Sequence, residues 1–414
     1  MKKMILEQAT SSATWETLES FARTHVQTFI QQVLEDEVTE LLGRAKSVRR
    51  GAVDAPAGAR NGHGKPRKLA LMNGTITVER PRVRDLEERF VSRVLPFFQR
   101  RTPEVAALLP DLYLHGLALG DFELALRGLL GDAAPLSASS LVRLKTTWQV
   151  QYAAWQQRDL SDLKLVYVWA DGVYVKAGLD HSKAALLVLI GADAAGQKHV
   201  LSVTSGERES VVGWSAELRD LKARGLCAPK LTIADGHLGI WGALAAISPT
   251  SAEQRCWNHK MRNVLDTVPR KRQAEITLQL QQIANADTLR TATQLRDAFA
   301  RTYRREFPKA VACLERDWDR LVAYYAFPHE HWKHLRTTNV VESPFAAVRL
   351  RTSAAKRFKK VDNATTLIWK TLLVVEQHFR KLNAPHLCTE VFNDVVFHDG
   401  ARTVTPTREK RRAA

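Results

Sequence analysis

Leu165-Val-Tyr-Val-Trp-Ala-Asp171-Gly-Val-Tyr-Val-Lys176 decides the fold. It is a run of β-branched and aromatic residues around one carboxylate, and it marks where helical periodicity gives way to strand patterns. Working outward, Ala184–Ile190 and His199–Thr204 read as two more strands, each bounded by Gly, Asp or charged residues. An amphipathic helix follows over Trp214–Arg224, then a strand over Lys230–Ala234, a helix from near Leu238 and a short apolar piece around Cys256. Three strands, helix, strand, helix, strand predicts an α/β core with a mixed sheet.

That succession is the one found in cores of the ribonuclease H type, although order alone supports only the α/β class. Two of its strands end alike, in Ala-Asp171-Gly172 and Ala-Asp235-Gly236. A carboxylate at the end of a buried strand is costly unless it is hydrogen-bonded, paired or bound to metal. Taken alone, Asp171-Gly172 between two Val-Tyr-Val runs also reads as a hairpin turn, and Asp235 as the cap of the helix that follows. Glu342, in Arg336-Thr-Thr-Asn339-Val-Val-Glu342, has capping-box spacing from Asn339. Cys256 and His259 form a Cys-x-x-His pair with no second close pair, so a buried thiol and a surface imidazole are expected rather than a zinc module.

The 414 residues exceed one ordinary core, and hydrophobic residues at 45% and charged residues at 25% suit a folded, soluble chain. A formal charge of +17 with pI ≈ 9.9 makes a polyanion, and nucleic acid first, the expected partner. No apolar run is long enough to span a membrane and no signal-peptide core is evident, so the cytoplasm is the expected compartment, without membrane attachment. Four scattered cysteines argue against a disulfide framework.

Outside the core, Trp15–Leu42 carries an apolar stripe at helical spacing, whose partner is either the rest of the chain or a second copy. Gly51–Pro66 reads as a linker. Lys68–Met72 and Thr75–Glu79 flank Asn73-Gly74 as a β-hairpin, trailed by Arg80, Arg82 and Arg84, which are either a solvated edge or phosphate contacts. Three helical patterns lie between Pro103 and Trp148, with Ser137 placed to cap the third, a rhythm shared by helix-turn-helix units and helical bundles. The expected organisation is an amphipathic helix and candidate oligomerisation element over 1–50, and a linker with basic hairpin over 51–102. A helix-turn-helix-like DNA-binding region over 103–160 makes this N-terminal part mainly helical. The first part of the core covers 161–265, an all-helical insertion 266–333, the completion of the core with Glu342 334–395, and a basic tail 396–414.

Together the motifs resemble one family. Arg60-Asn61-Gly62 and Val78-Glu-Arg-Pro81-Arg82 match weakly. More telling are Asp171-Gly-Val-Tyr-Val-Lys176, Asp235-Gly-His237-Leu-Gly239, Gln254-Arg-Cys256-Trp-Asn-His259, and Arg336-Thr-Thr-Asn339-Val-Val-Glu342-Ser343 followed by Val348-Arg-Leu-Arg-Thr352. In this order, with a helical stretch before the last, they resemble the Mutator-type insertion-sequence transposases of the insertion sequence 256 group. The chain departs from the family at Ala234, at the flanks of His259 and at Lys356-Arg-Phe-Lys-Lys360, none of which removes a carboxylate.

The resemblance implies a DDE transposase that cuts and joins DNA at element ends. Asp171, Asp235 and Glu342 would hold two Mg2+ (or Mn2+) ions, with His237, Cys256, His259 and Asn339 as secondary active-site candidates. Tyr174 and Lys176 stand beside the first motif. Arg336, Arg349 and Arg351, with the hairpin arginines, are DNA-binding candidates, for either the terminal inverted repeats or target DNA. Processing two ends implies a homodimer or larger assembly. The rival readings are a ribonuclease H-like nuclease or resolvase without strand transfer, and a non-catalytic DNA-binding regulator.

Overall fold

The computed structural model describes residues 2–95, 100–117, 121–130, 138–177, 183–206, 210–236, 238–355 and 358–403, and the chain divides into two units, Met1–Leu144 and Lys145–Ala414. In the first unit a long helix, α1 (Lys2–Leu42), is followed by strands β1 (Ala59–His63), β2 (Arg67–Leu71), β3 (Gly74–Val78) and β4 (Pro81–Arg84). The C-terminal part of the α1 stripe is buried: Leu34 shares a small core with Leu69, Ile76, Val78 and Leu95. Further toward the N-terminus Leu18, Phe21 and Phe29 are exposed.

The expected hairpin forms, but its turn is displaced by one residue. Leu71 pairs with Gly74, leaving Met72 and Asn73 as the turn. Gly74 takes φ +120°, and a Cβ there would lie 2.8 Å from the Arg23 Nε of α1, so glycine serves both the turn and the helix contact. The expected linker contains β1, which pairs antiparallel with β4 (Ala59↔Arg84). Its Ala-Arg-Asn-Gly-His sequence has no apolar alternation, so backbone pairing makes this strand without a side-chain signal. Helices α2 (Pro103–Leu114) and α3 (Asp121–Leu130) follow, and α4 (Ala138–Gln156) crosses the division between units. Pro103 opens α2 at the position where a missing N–H costs nothing. Ser137 lies outside the described residues.

The second unit is built on a five-stranded sheet of β5 (Leu165–Lys176), β6 (Lys183–Asp193), β7 (Lys198–Gly206), β8 (Leu231–Ala234) and β9 (Ala252–Arg255), in the order β7-β6-β5-β8-β9. β5, β6 and β7 run antiparallel, while β8 and β9 lie parallel to β5 and to each other. The parallel connections are made by α5 (Val211–Ala223) and α6 (Leu238–Ile247). Asp171 pairs with Val188 and Gly172 with Leu187, so β5 runs straight through the Asp-Gly pair and the turn reading is excluded.

Side chains alternate across a strand, and the two faces of β5 are covered differently. Val168 and Ala170 join Leu187, Leu189, Trp214, Ile240 and Leu244 under α5 and α6. On the other face the Tyr167 hydroxyl meets His331 Nδ1 at 2.8 Å and Trp169 Nε1 donates to His334 O at 2.9 Å. After β9 come α7 (Trp257–Leu265) and the helical insertion α8 (Arg270–Ala284), α9 (Leu289–Tyr303), α10 (Pro308–Arg316) and α11 (Trp318–Leu321). The chain then returns to the sheet through α12 (Trp332–Leu335), α13 (Asn339–Glu342), α14 (Phe345–Ala355), α15 (Val361–Glu376) and α16 (His386–Phe392), and ends in a short hairpin of β10 (Phe397–His398) and β11 (Ala401–Arg402). Residues 404–414 of the expected tail lie outside the described residues. Among the described residues no helix is long and apolar enough to cross a membrane.

Candidate active site

The parallel pairing of β5 with β8 ends at Ala170↔Ala234. Asp171 and Asp235 are the next residues on these neighbours, whose backbones are about 4.8 Å apart in a sheet. Asp171 stays in β5, where Gly172 N donates to its Oδ1 at 2.8 Å, while Asp235 follows the last residue of β8. Gly236 then takes φ +95°, and a Cβ there would lie 2.6 Å from Arg255 Nε. Glycine lets the Arg255 side chain cross the backbone beside Asp235.

Alternation puts Asp171 on the same face of β5 as Tyr167 and Trp169, the face covered by the 331–335 segment. α13 packs against β5 and β6 just beyond it. Glu342 is thereby brought to the ends of the strands bearing the aspartates. The capping-box reading fails: Thr338 is the residue before the helix, and its hydroxyl donates to Glu342 Oε1. Tyr174 and Lys176, two and four residues beyond Gly172, point to the face opposite Asp171.

His259, on α7, links the acids, with Nδ1 3.5 Å from Asp235 Oδ1 and 3.7 Å from Glu342 Oε1. Burial by itself lowers its proton affinity, but the bond to Cys256 and the charges of Cys256, Asp235 and Glu342 outweigh it and hold the imidazole up to about 9. The two carboxylates on either side of the ring favour positive charge at this spot. Three carboxylates from separate elements are hard oxygen donors that fit Mg2+ or Mn2+. Among the described residues, the group whose ligand atoms all lie within 4.8 Å of one another is Cys256 Sγ, a His259 ring nitrogen and a Glu342 oxygen. The buried sulfur, however, is already engaged by Thr338, from N at 3.3 Å and Oγ1 at 3.2 Å.

Of the other expected residues, Asn339 is exposed and accepts from Asn258 Nδ2 at 3.2 Å, and His237 lies outside the described residues. Arg336 donates to Ala284 O at 2.7 Å, so its guanidinium closes the end of α8 instead of facing solvent. Arg351 is buried, at 2% exposure, which leaves Arg349 as the exposed member of that trio. Thr338 was not singled out from sequence. The Thr-Thr pair before Asn339 was its one signal.

In the first unit Arg80 is buried, and burial followed by the neighbouring charges of Arg67 and Arg89 lowers its proton affinity. Arg82 is exposed and donates from Nε to His63 O at 3.0 Å; Arg84 is exposed beside Asp85. Arg80 and Arg82, together with Lys65, Arg67, Arg89 and Arg100, line a cavity of about 540 Å³ with no carboxylate among the described residues of its wall.

Known proteins similar to this chain are transposases of insertion sequences. The transposase for insertion sequence element IS6120 of Mycolicibacterium smegmatis is 42% identical over 73% of this chain and 94% of its own length. The transposase for insertion sequence element IST2 of Acidithiobacillus ferrooxidans is 41% identical over 67% and 94%. The transposase for insertion sequence element IS256 in transposon Tn4001 of Staphylococcus aureus is 24% identical over 89% and 93%. The family model described as transposase, Mutator family, matches residues 2–381, and the chain belongs to that family.

Proposed function

We propose that this chain is a DDE transposase whose Asp171, Asp235 and Glu342 form a metal-dependent centre for DNA strand cleavage and strand transfer at the ends of its element. The observation that carries the reading is the meeting of Glu342 and Asp235 around His259, with Asp171 next after the paired residues on the neighbouring strand β5. The order of strands and helices in the second unit, of ribonuclease H type, supports it.

Two divalent cations held by the three carboxylates would activate the attacking oxygen and stabilise the leaving one. The chain's own part is to hold the acids on rigid elements. Asp171 is fixed within a paired strand, Asp235 by a buried four-residue strand, and Glu342 by the Thr338 hydroxyl. His259, cationic at neutral pH, balances Asp235 and Glu342 while the acids are without metal. Water as nucleophile gives cleavage, and a freed 3'-hydroxyl gives joining at the same centre, so no covalent protein intermediate is needed.

The cationic cavity of the first unit suits the DNA backbone, since guanidinium matches phosphate bidentately. Two ends handled together call for a homodimer or larger assembly on the DNA. Pre-cleaved element ends carrying free 3'-hydroxyls, incubated with purified protein, a target plasmid and Mg2+, test the strand-transfer step. Joined products are expected. Cleavage of intact ends without any joining would instead identify a nuclease or resolvase, and tight binding with neither reaction a regulator.

A further inference from the structure

We infer that Gln254–Lys260 is a latch that sets the position of Glu342, with Cys256 acting through Thr338 as a positioning residue for that carboxylate. The inference rests on the three-carboxylate reading above and adds to it how the third acid is placed.

The side chains of the segment are anchored on the insertion and on the 336–342 segment. Gln254 is fully buried, donates to Leu321 O at 3.1 Å and accepts from Tyr324 N at 2.9 Å. Trp257 donates from Nε1 to Leu321 O at 2.8 Å, and its backbone N donates to Arg336 O at 2.9 Å. Arg255 and Lys260 both pair with Asp317. Asn258 reaches Asn339, and His259 lies between Asp235 and Glu342. One segment at the edge of the sheet therefore fastens both the helical insertion and the 336–342 segment.

The link to Glu342 runs through Thr338. The buried Thr338 hydroxyl touches both Glu342 Oε1 and Cys256 Sγ, yet it has one proton. A carboxylate is the stronger acceptor, so the proton goes to Glu342. Cys256 Sγ accepts from Thr338 N–H at 3.3 Å and lies 3.2 Å from the hydroxyl, so the sulfur holds Thr338 in place while the hydroxyl holds Glu342. Cys256 thus places Thr338, and Thr338 places the carboxylate. Each member orients the next, and the last is a proposed metal ligand.

Removing such a support weakens metal affinity by roughly ten- to a hundredfold. The test is a Mn2+ titration of the full chain without DNA, read by the electron paramagnetic resonance of free Mn2+, with thermal melting alongside. Thr338→Val should bind Mn2+ about tenfold more weakly, Thr338→Ser should recover most of the loss, and Cys256→Ala should fall with the valine variant. Wild-type affinity in Thr338→Val, or equal losses in the valine and serine variants, would overturn the latch. So would one equivalent of Zn2+ in purified wild-type protein that Cys256→Ser lacks, since the thiol would then be a ligand. Asp235→Asn separates the two claims: its loss of Mn2+ alongside an unaffected Thr338→Val removes the latch alone, whereas normal binding by Asp235→Asn removes the carboxylate reading beneath it.

Discussion

Asp171 and Glu342 each had an ordinary reading in the sequence, a hairpin turn for the first and a capping box for the second. The structure removes both, because β5 pairs through Asp171 and because Thr338 turns its hydroxyl to Glu342. Replacing either acid by its amide, Asp171→Asn or Glu342→Gln, should slow Mg2+-dependent cleavage by about a thousandfold, or roughly 4 kcal/mol of transition-state stabilisation. Gel-shift affinity for the same DNA should change only a few-fold. Losses in rate and binding together would point to unfolding. Asp171 and Asp235 stood out because a charge in or just after an apolar strand is conspicuous, whereas Glu342, on a helix, stood out only through the family resemblance of Arg336–Ser343. Thr338 was not legible, since a threonine before a helix is unremarkable until it is found 82 positions from the sulfur it touches.

The strands and helices of the sheet, β5 to β9, were legible, whereas the β10–β11 hairpin, inside the expected tail 396–414, was not. Buried strands such as Leu231–Ala234 are short apolar runs bounded by charged residues and Gly, and α5 and α6 have amphipathic or apolar patterns of helical length. β1 escaped because it buries little and is held by its pairing to β4. The logic of α7 was hidden as well, because its lysine looks like a surface residue. Lys260 is instead 1% exposed, donates to Cys313 O at 2.6 Å and pairs with Asp317. Breaking such a pair leaves a buried charge short of partners. Lys260→Ala should cost about 3 kcal/mol in urea unfolding, in the range for disrupted buried pairs. A loss below about 1 kcal/mol would mean that Arg255 alone satisfies Asp317.

At the scale of the whole molecule, the charge of +17 sets how it meets DNA. If phosphate contacts dominate, affinity should fall about a hundredfold or more between 50 and 200 mM salt, and Arg82→Ala should make that dependence shallower. A salt-independent affinity would contradict the electrostatic reading. Acid should also weaken the second unit through its histidines. Burial lowers the proton affinity of His331, and burial with the Lys198 and Lys333 charges holds His334 down at about 4. In the unfolded chain both take up protons near the ordinary histidine value of about 6.5. Between that pH and about 4 the unfolded chain binds protons that the folded one refuses, so stability falls as pH falls. Glu217 and Glu376, whose burial raises their proton affinity, act in the opposite sense. The His334→Gln variant isolates one contribution: its melting temperature should decline less steeply than that of wild type over this window, and parallel curves would refute the assignment.

The reading of Asp171, Asp235 and Glu342 as one metal-dependent centre is tested most directly by one comparison. Wild-type protein and Asp235→Asn are each incubated with labelled DNA carrying the element's ends and Mg2+, and cleaved strands are resolved while binding is measured in parallel. A metal-dependent centre predicts cleavage by wild type and a fall of about a thousandfold or more in the variant, with binding retained. Equal cleavage by the two proteins would contradict it.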